Sequence, residues 1–227
     1  MMWRRPLIAF TALSVVFCSS AITAAGKEKE MTEAEKQACA AKLHVNVHAD
    51  NPLQPIATPA PQKCTPGKKN GFPVPDPKCT PGAVNPTLTV TVLSDPDFKT
   101  GCVRDQATSP EKKKETYTSY KVIEPKDNSG KNQTCELDHF ISLELGGADT
   151  LDNIWPQCGP KNVQLGQRNF KQKDMVEDYL AFLVKNDRMA LADAQKGIAA
   201  DWTQFLAKAR QVCPGGRCAM AKLPPKP

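Results

Sequence analysis

The densest run of side chains able to do chemistry is Glu136-Leu137-Asp138-His139, complemented downstream by Arg168-Asn169-Phe170-Lys171-Gln172-Lys173-Asp174. A carboxylate and an amide oxygen are hard donors. They suit Mg²⁺ or Mn²⁺, ions that keep several of their waters, with Zn²⁺ as the alternative. A neutral imidazole beside them can take a proton from an attacking water at physiological pH. A metal held there would stabilise charge on a phosphoryl group and on the departing oxygen. Arg168, Lys171 and Lys173 would supply positive charge for phosphates. These residue types together describe a one-metal hydrolytic site.

The elements that carry these residues can be read from local pattern. Leu137 to Leu145 is apolar-rich and strand-like until Gly146-Gly147 interrupts it, and Asn153-Ile154-Trp155 is a second extended piece ending at Pro156. Adjacent Asp138 and His139 point to opposite faces of a regular strand, so both serve one site only near a strand end or a bulge. A helix is predicted from about Gln167, since Val176, Tyr179, Leu180 and Leu183 recur on one face. A short helix after Asp187 should stop at Gly197. A last amphipathic helix, marked by Ile198, Trp202, Phe205, Leu206 and Ala209, should end before Cys213-Pro214-Gly215. Trp155 and Trp202 are expected in the core.

The first half has a different texture. Arg4 and Arg5, the apolar run Leu7 to Phe17 and the small residues Thr23-Ala24-Ala25 read as a signal peptide over residues 1–25. Its removal takes Cys18 and leaves Cys39, Cys64, Cys79, Cys102, Cys135, Cys158, Cys213 and Cys218, an even set that in an exported chain reads as disulfides. No tight Cys-x-x-Cys pair argues for zinc. Thr32 and Glu35 form a capping box for a helix from Thr32 to Leu43. Eleven of the 20 prolines lie between residues 50 and 96, so that stretch is a poor candidate for helix or sheet. Within it, Lys63-Cys64-Thr65-Pro66-Gly67 recurs as Lys78-Cys79-Thr80-Pro81-Gly82, two similar turns, each a candidate for a disulfide. Leu88 to Leu93 alternates and is predicted as a strand, as is Tyr117 to Ile123. His44 and His48, four apart, would make a metal pair on a helix, but their segment alternates like a strand. Lys112-Lys113-Lys114 reads as a solvated loop, and Glu177 as an i,i+4 ion-pair partner of Lys173. No apolar run is long enough to span a membrane. A net charge of +6 is compatible with a polyanionic partner and does not identify one.

Cys135 and Cys158 bracket the two extended pieces. An antiparallel hairpin would bring them together, and a bond between them would stabilise by about 3 kcal/mol on loop entropy. Cys213 and Cys218, separated by Pro-Gly-Gly-Arg, suit a small disulfide loop. The partners of Cys39, Cys64, Cys79 and Cys102 stay open.

Residues 135 to 180 resemble the HNH endonuclease family and its ββα-metal finger. They most resemble the exported bacterial branch: Asp138-His139, Leu143-Glu144-Leu145-Gly146-Gly147, Asn153-Ile154-Trp155-Pro156 and the helix with Lys173-Asp174 and Glu177 carry the likeness. The segment Cys79-Thr80-Pro81-Gly82-Ala83 resembles a stretch upstream of that finger. The resemblance implies His139 as general base, Asp138 as metal ligand and Asn153 as the residue fixing the loop. Many members have a helix His, whereas no His follows residue 139 here. Asn169 is the replacement ligand that related nucleases suggest. Lys171 is the other occupant of that position, and a cation there would not bind metal. Glu136 would steady His139 or the waters of the metal.

The expectation is an α+β protein, with a ββα-metal finger packed against C-terminal helices and preceded by a Pro- and Cys-rich irregular region with short strands. Its segments would be a signal peptide (1–25), an N-terminal helix with the Pro/Cys-rich stretch (26–103) and an HNH-like domain (104–227). The expected function is a secreted or periplasmic endonuclease of low sequence specificity, acting on nucleic acid, DNA ahead of RNA, with one divalent cation. It would be monomeric and free of the membrane after signal cleavage, and no residue speaks to an inhibitor protein. The alternatives are a degenerate finger that binds nucleic acid without cutting, and a disulfide-rich secreted binding module.

Overall fold

The capping box forms as the sequence requires: the Thr32 side chain accepts from the Glu35 backbone N–H, and the Glu35 carboxylate accepts from that of Thr32, at the start of α1 (Glu33–Lys42). The computed structural model describes residues 31–47, 63–105, 108 and 110–223. The expected signal peptide, His48 and the prolines between 52 and 61 lie outside the described residues. His44 is no strand residue. It follows the helix cap with φ +54°, a left-handed conformation that ends α1.

The Pro-rich stretch holds a small antiparallel hairpin, β1 (Gly67–Lys69) with β2 (Phe72–Val74), closed by Asn70-Gly71 at φ +48° and +83°. Leu88 to Leu93 is not the expected strand. Thr89 caps a single helical turn, α2 (Val90–Leu93), and only Leu88 and Leu93 of the segment are buried, with no strand among the described residues to pair with an extended backbone. Tyr117 to Ile123 is likewise not a strand. Pro110 opens α3 (Pro110–Ser119), where its missing N–H costs nothing. Tyr117 and Tyr120 are buried, whereas Ile123 is 91 % exposed.

The second half is a hairpin and a helix backed by further helices. Strand β3 (Cys135–His139) pairs antiparallel with β4 (Ile154–Cys158), with Cys135 opposite Cys158 and Asp138 opposite Trp155. The extended run stops at His139, short of Leu145, because Leu143–Leu145 turns into a 3₁₀ segment ended by Gly146 at φ +75°. Helix α4 (Asn169–Lys185) buries Val176, Tyr179, Leu180 and Leu183 against Ile198, Trp202, Leu206, Ala209 and Val212. Gly197 does not stop α5 (Leu191–Asp201); a Cβ there would lie 2.7 Å from the Phe205 ring, so its lack of side chain serves packing. The predicted last helix is broken instead at Asp201, which caps a 3₁₀ turn, Trp202–Phe205, before α6 (Leu206–Val212).

Four disulfides join Cys39–Cys102, Cys64–Cys79, Cys135–Cys158 and Cys213–Cys218. The two similar Cys-Thr-Pro-Gly turns are therefore bonded to each other. The Pro/Cys-rich segment packs on the second half: Gly82, Ala83 and Asn85 share backbone hydrogen bonds with Asp152, Ala148 and Gly146, and Phe72, Val74 and Val84 pack on the α4 core. No helix among the described residues is long and apolar enough to cross a membrane.

Candidate active site at the hairpin

Alternate residues of β3 meet different neighbours. Glu136 and Asp138, two apart, face the basic residues of α4. Lys171 lies 3.4 Å from Glu136, and the Lys173 ammonium lies 3.2 Å and 3.0 Å from the two oxygens of Asp138. Lys173 also donates to the His139 carbonyl oxygen at 2.7 Å and to Glu177, one turn further along the helix. Solvent reaches this cluster chiefly at Glu177, 13 % exposed, while Lys173 is at 0 % and Asp138 at 5 % exposure. Burial pushes the Asp138 carboxyl up to about 7, against the pull of Lys173 and with Glu136 adding to the rise. Burial likewise raises Glu177 well above the carboxylate range. Burial alone would lower Lys173, but the two acids outweigh it and hold the ammonium above its ordinary value.

His139 belongs to another group. Its Nε2 lies 2.7 Å from Asp149 Oδ1, and Asp149 in turn accepts from Lys113 at 2.8 Å and from the Asp105 backbone N–H at 2.9 Å. Burial holds the imidazole below the ordinary His range, the Asp149 bond opposes this, and Arg104 and Lys113 reinforce it. A neutral ring bonded to a carboxylate through Nε2 carries its proton there. Nδ1 is then the free lone pair, with no hydrogen-bond partner among the described residues. Burial alone would raise Asp149; the bonds from His139 and Lys113 bring it down to about 2. With the ring neutral, the Lys113 ammonium is the charge that keeps Asp149 ionised.

The loop between the strands is locked by Asn153. Its Nδ2 donates to the Ile141 and Ala148 carbonyls, both at 2.8 Å, and its Oδ1 accepts from the Ile141 N–H at 2.9 Å. A Cβ on Gly147 would lie 1.9 Å from the Ile141 oxygen, so this tight return needs glycine.

Several expected site residues are placed elsewhere. The Asn169 amide donates to the Cys158 carbonyl at 3.2 Å. Cys158 pairs with Cys135, three residues along β3 from Asp138, roughly 10 Å at strand rise. The structure therefore does not bring Asn169 and Asp138 to one ion. Lys173 cannot grip phosphate, because its ammonium is spent on buried acids. Arg168 is 5 % exposed and donates to the Lys131 carbonyl, so it is no surface phosphate contact. Lys171 is half-buried, held by Asp174 and Glu136. Glu136 steadies Lys171 and accepts from Gln133 rather than from His139. No group of three or more His, Cys, Asp or Glu among the described residues is arranged to hold a metal. With Lys173 seated on Asp138, the donors expected for a divalent cation do not fit one.

Sequence reasoning missed Asp149 and Lys113. A histidine base needs its second nitrogen engaged, so the acids of the inter-strand loop were the place to search. Lys112-Lys113-Lys114 lies on α3, where consecutive residues splay by about 100° and one of three can turn inward. No family model, curated protein or solved structure matches the chain.

Proposed function

We propose that the chain is an exported hydrolase of nucleic-acid phosphodiester bonds, an HNH-type endonuclease in which His139 is the general base. One observation supports this most: a neutral, partly buried imidazole oriented through Nε2 by Asp149, with Nδ1 free of any partner among the described residues. His139 Nδ1 would take the proton of a water attacking phosphorus, and Asp149 would stabilise the imidazolium formed. Arg104 is exposed, has no ion pair among the described residues and acts electrostatically on His139, so it is placed to meet the phosphate charge. The ββα finger of this reading is the β3–β4 hairpin with α4, and no step is routed through a metal, because Asp138 is already paired. Four disulfides suit an oxidising compartment, periplasmic or extracellular.

Digestion of plasmid and of RNA, with and without EDTA, tests the reading. His139→Ala should lose cleavage by roughly 10²–10⁴-fold while the fold persists. Undiminished cutting by that variant would remove His139 from the chemistry. A second reading, a finger that binds nucleic acid without cutting, is favoured by the pairing of Asp138 with Lys173. Retention on nucleic acid with no cleavage under any added cation would select it.

A further inference from the structure

The Lys173 ammonium sits among four oxygens: both of Asp138, the His139 carbonyl and Glu177 Oε1. Two carboxylates and a main-chain carbonyl around one positive centre are the donors that a hard divalent cation takes. An ammonium has only three hydrogens to give. Accordingly Asp138 Oδ2, although 3.0 Å from the nitrogen, is a buried oxygen without a hydrogen bond. The donors come from two elements, Asp138 and His139 from the end of β3 and Glu177 from α4. Whatever occupies their centre ties the helix to the hairpin and anchors the backbone of the residue whose ring faces Asp149.

We propose that Lys173 is the resident cation of the hairpin–helix unit, a tethered ammonium in the place of a divalent ion, so that the unit is built without metal. The tether is the physical reason. A lysine one helical turn before Glu177 brings its charge wherever the helix docks, at no cost in translational entropy. A dissolved ion would have to displace it from between two acids, and shed most of its own waters to enter a cradle in which Lys173 is fully buried and Asp138 nearly so. The inference goes beyond the nuclease reading and is tested without substrate, so a chain that cuts nothing leaves it standing.

The test is thermal unfolding of the full, disulfide-bonded chain in EDTA and in excess Mg²⁺, Mn²⁺ or Zn²⁺. The expected result is superimposable melting curves. A cation-dependent rise in Tm that disappears in Asp138→Asn would overturn the proposal. Lys173→Ala opens the four-oxygen cradle. It should melt well below the unaltered chain and be restored in part, saturably, by Mg²⁺ or Mn²⁺, with about one Mn²⁺ bound per chain by titration. A folded Lys173→Ala indifferent to every divalent ion would also overturn it. If that variant does not fold, Lys173→Met is compared with the triple variant Lys173→Met, Asp138→Asn, Glu177→Gln. The triple variant should melt higher, since acids and cation leave together, and the reverse order counts against the proposal.

Discussion

Two neighbouring residues of one strand sit in opposite electrostatic surroundings. Asp138 turns to α4 and meets a largely buried cluster, two acids on one ammonium, in which burial raises the carboxyls. His139 turns to α3 and the inter-strand loop and meets Asp149, with Lys113 and Arg104 behind it, where the carboxyl is driven down to about 2. The first region has every donor turned inward and reads as a clamp. The second leaves one imidazole nitrogen without a partner among the described residues, within the electrostatic reach of the exposed Arg104, and reads as a site. An Asp-His pair in sequence is thus not one constellation: strand alternation assigns its halves to separate tasks.

The largest effect should come from breaking the clamp. Lys173→Met strands two buried acids and should cost about 3–5 kcal/mol in denaturant unfolding. A loss under 1 kcal/mol would mean that the cluster is open to water.

The pH dependence should separate the regions by sign. Asp138 is raised from 3.8 to about 7, so the native state holds a proton that the unfolded chain has released. Its contribution is full below about pH 4 and is lost as pH rises through about 7. His139 is lowered from 6.5 and Asp149 from 3.8 to about 2, so their contributions are present at neutral pH and lost on acidification. Asp138→Asn should flatten the decline between about pH 4 and 7, and His139→Gln should flatten the fall on the acid side of 6.5. The Asp138 difference should be on the order of a few kcal/mol in stability profiles, and the His139 difference should be opposite in sign. Profiles of like sign would show that the two regions are one.

Asp149→Asn should cost roughly 1.5–3 kcal/mol, since it removes a charged acceptor from Lys113 and His139. It should also lower cleavage by freeing the imidazole tautomer, a change to be read in kcat against pH. The smallest effect belongs to Lys171→Ala, a third exposed and paired on the surface with Asp174 and Glu136. It should shift stability by under about 1 kcal/mol and weaken with salt.

Much of the frame was readable before any coordinates. The α4 stripe of Val176, Tyr179, Leu180 and Leu183 is buried as its spacing requires, the Thr32–Glu35 box forms, and Cys135 meets Cys158 across the hairpin. Local rules misled where a segment had no partner to complete its pattern. Leu88 to Leu93 alternates, but no strand among the described residues pairs with it, and the Thr89 hydroxyl caps a turn instead. At the site, Asn169 and Lys173 differ only in what lies opposite them, which spacing along a helix does not reveal.

The one-dimensional pattern carried the contacts that depend on chain geometry alone: helix faces, caps, the parity of cysteines and the divergence of Asp138 from His139. Folding in three dimensions chose the partners. It brought Asp149 from across a loop to His139, turned one of three consecutive lysines inward, paired Cys39 with Cys102 and placed an ammonium where a metal was expected. Short-range order follows from bond geometry and local hydrogen bonding. Charge pairing between distant segments is decided by which groups burial strips of water together, and that depends on the packing of the whole.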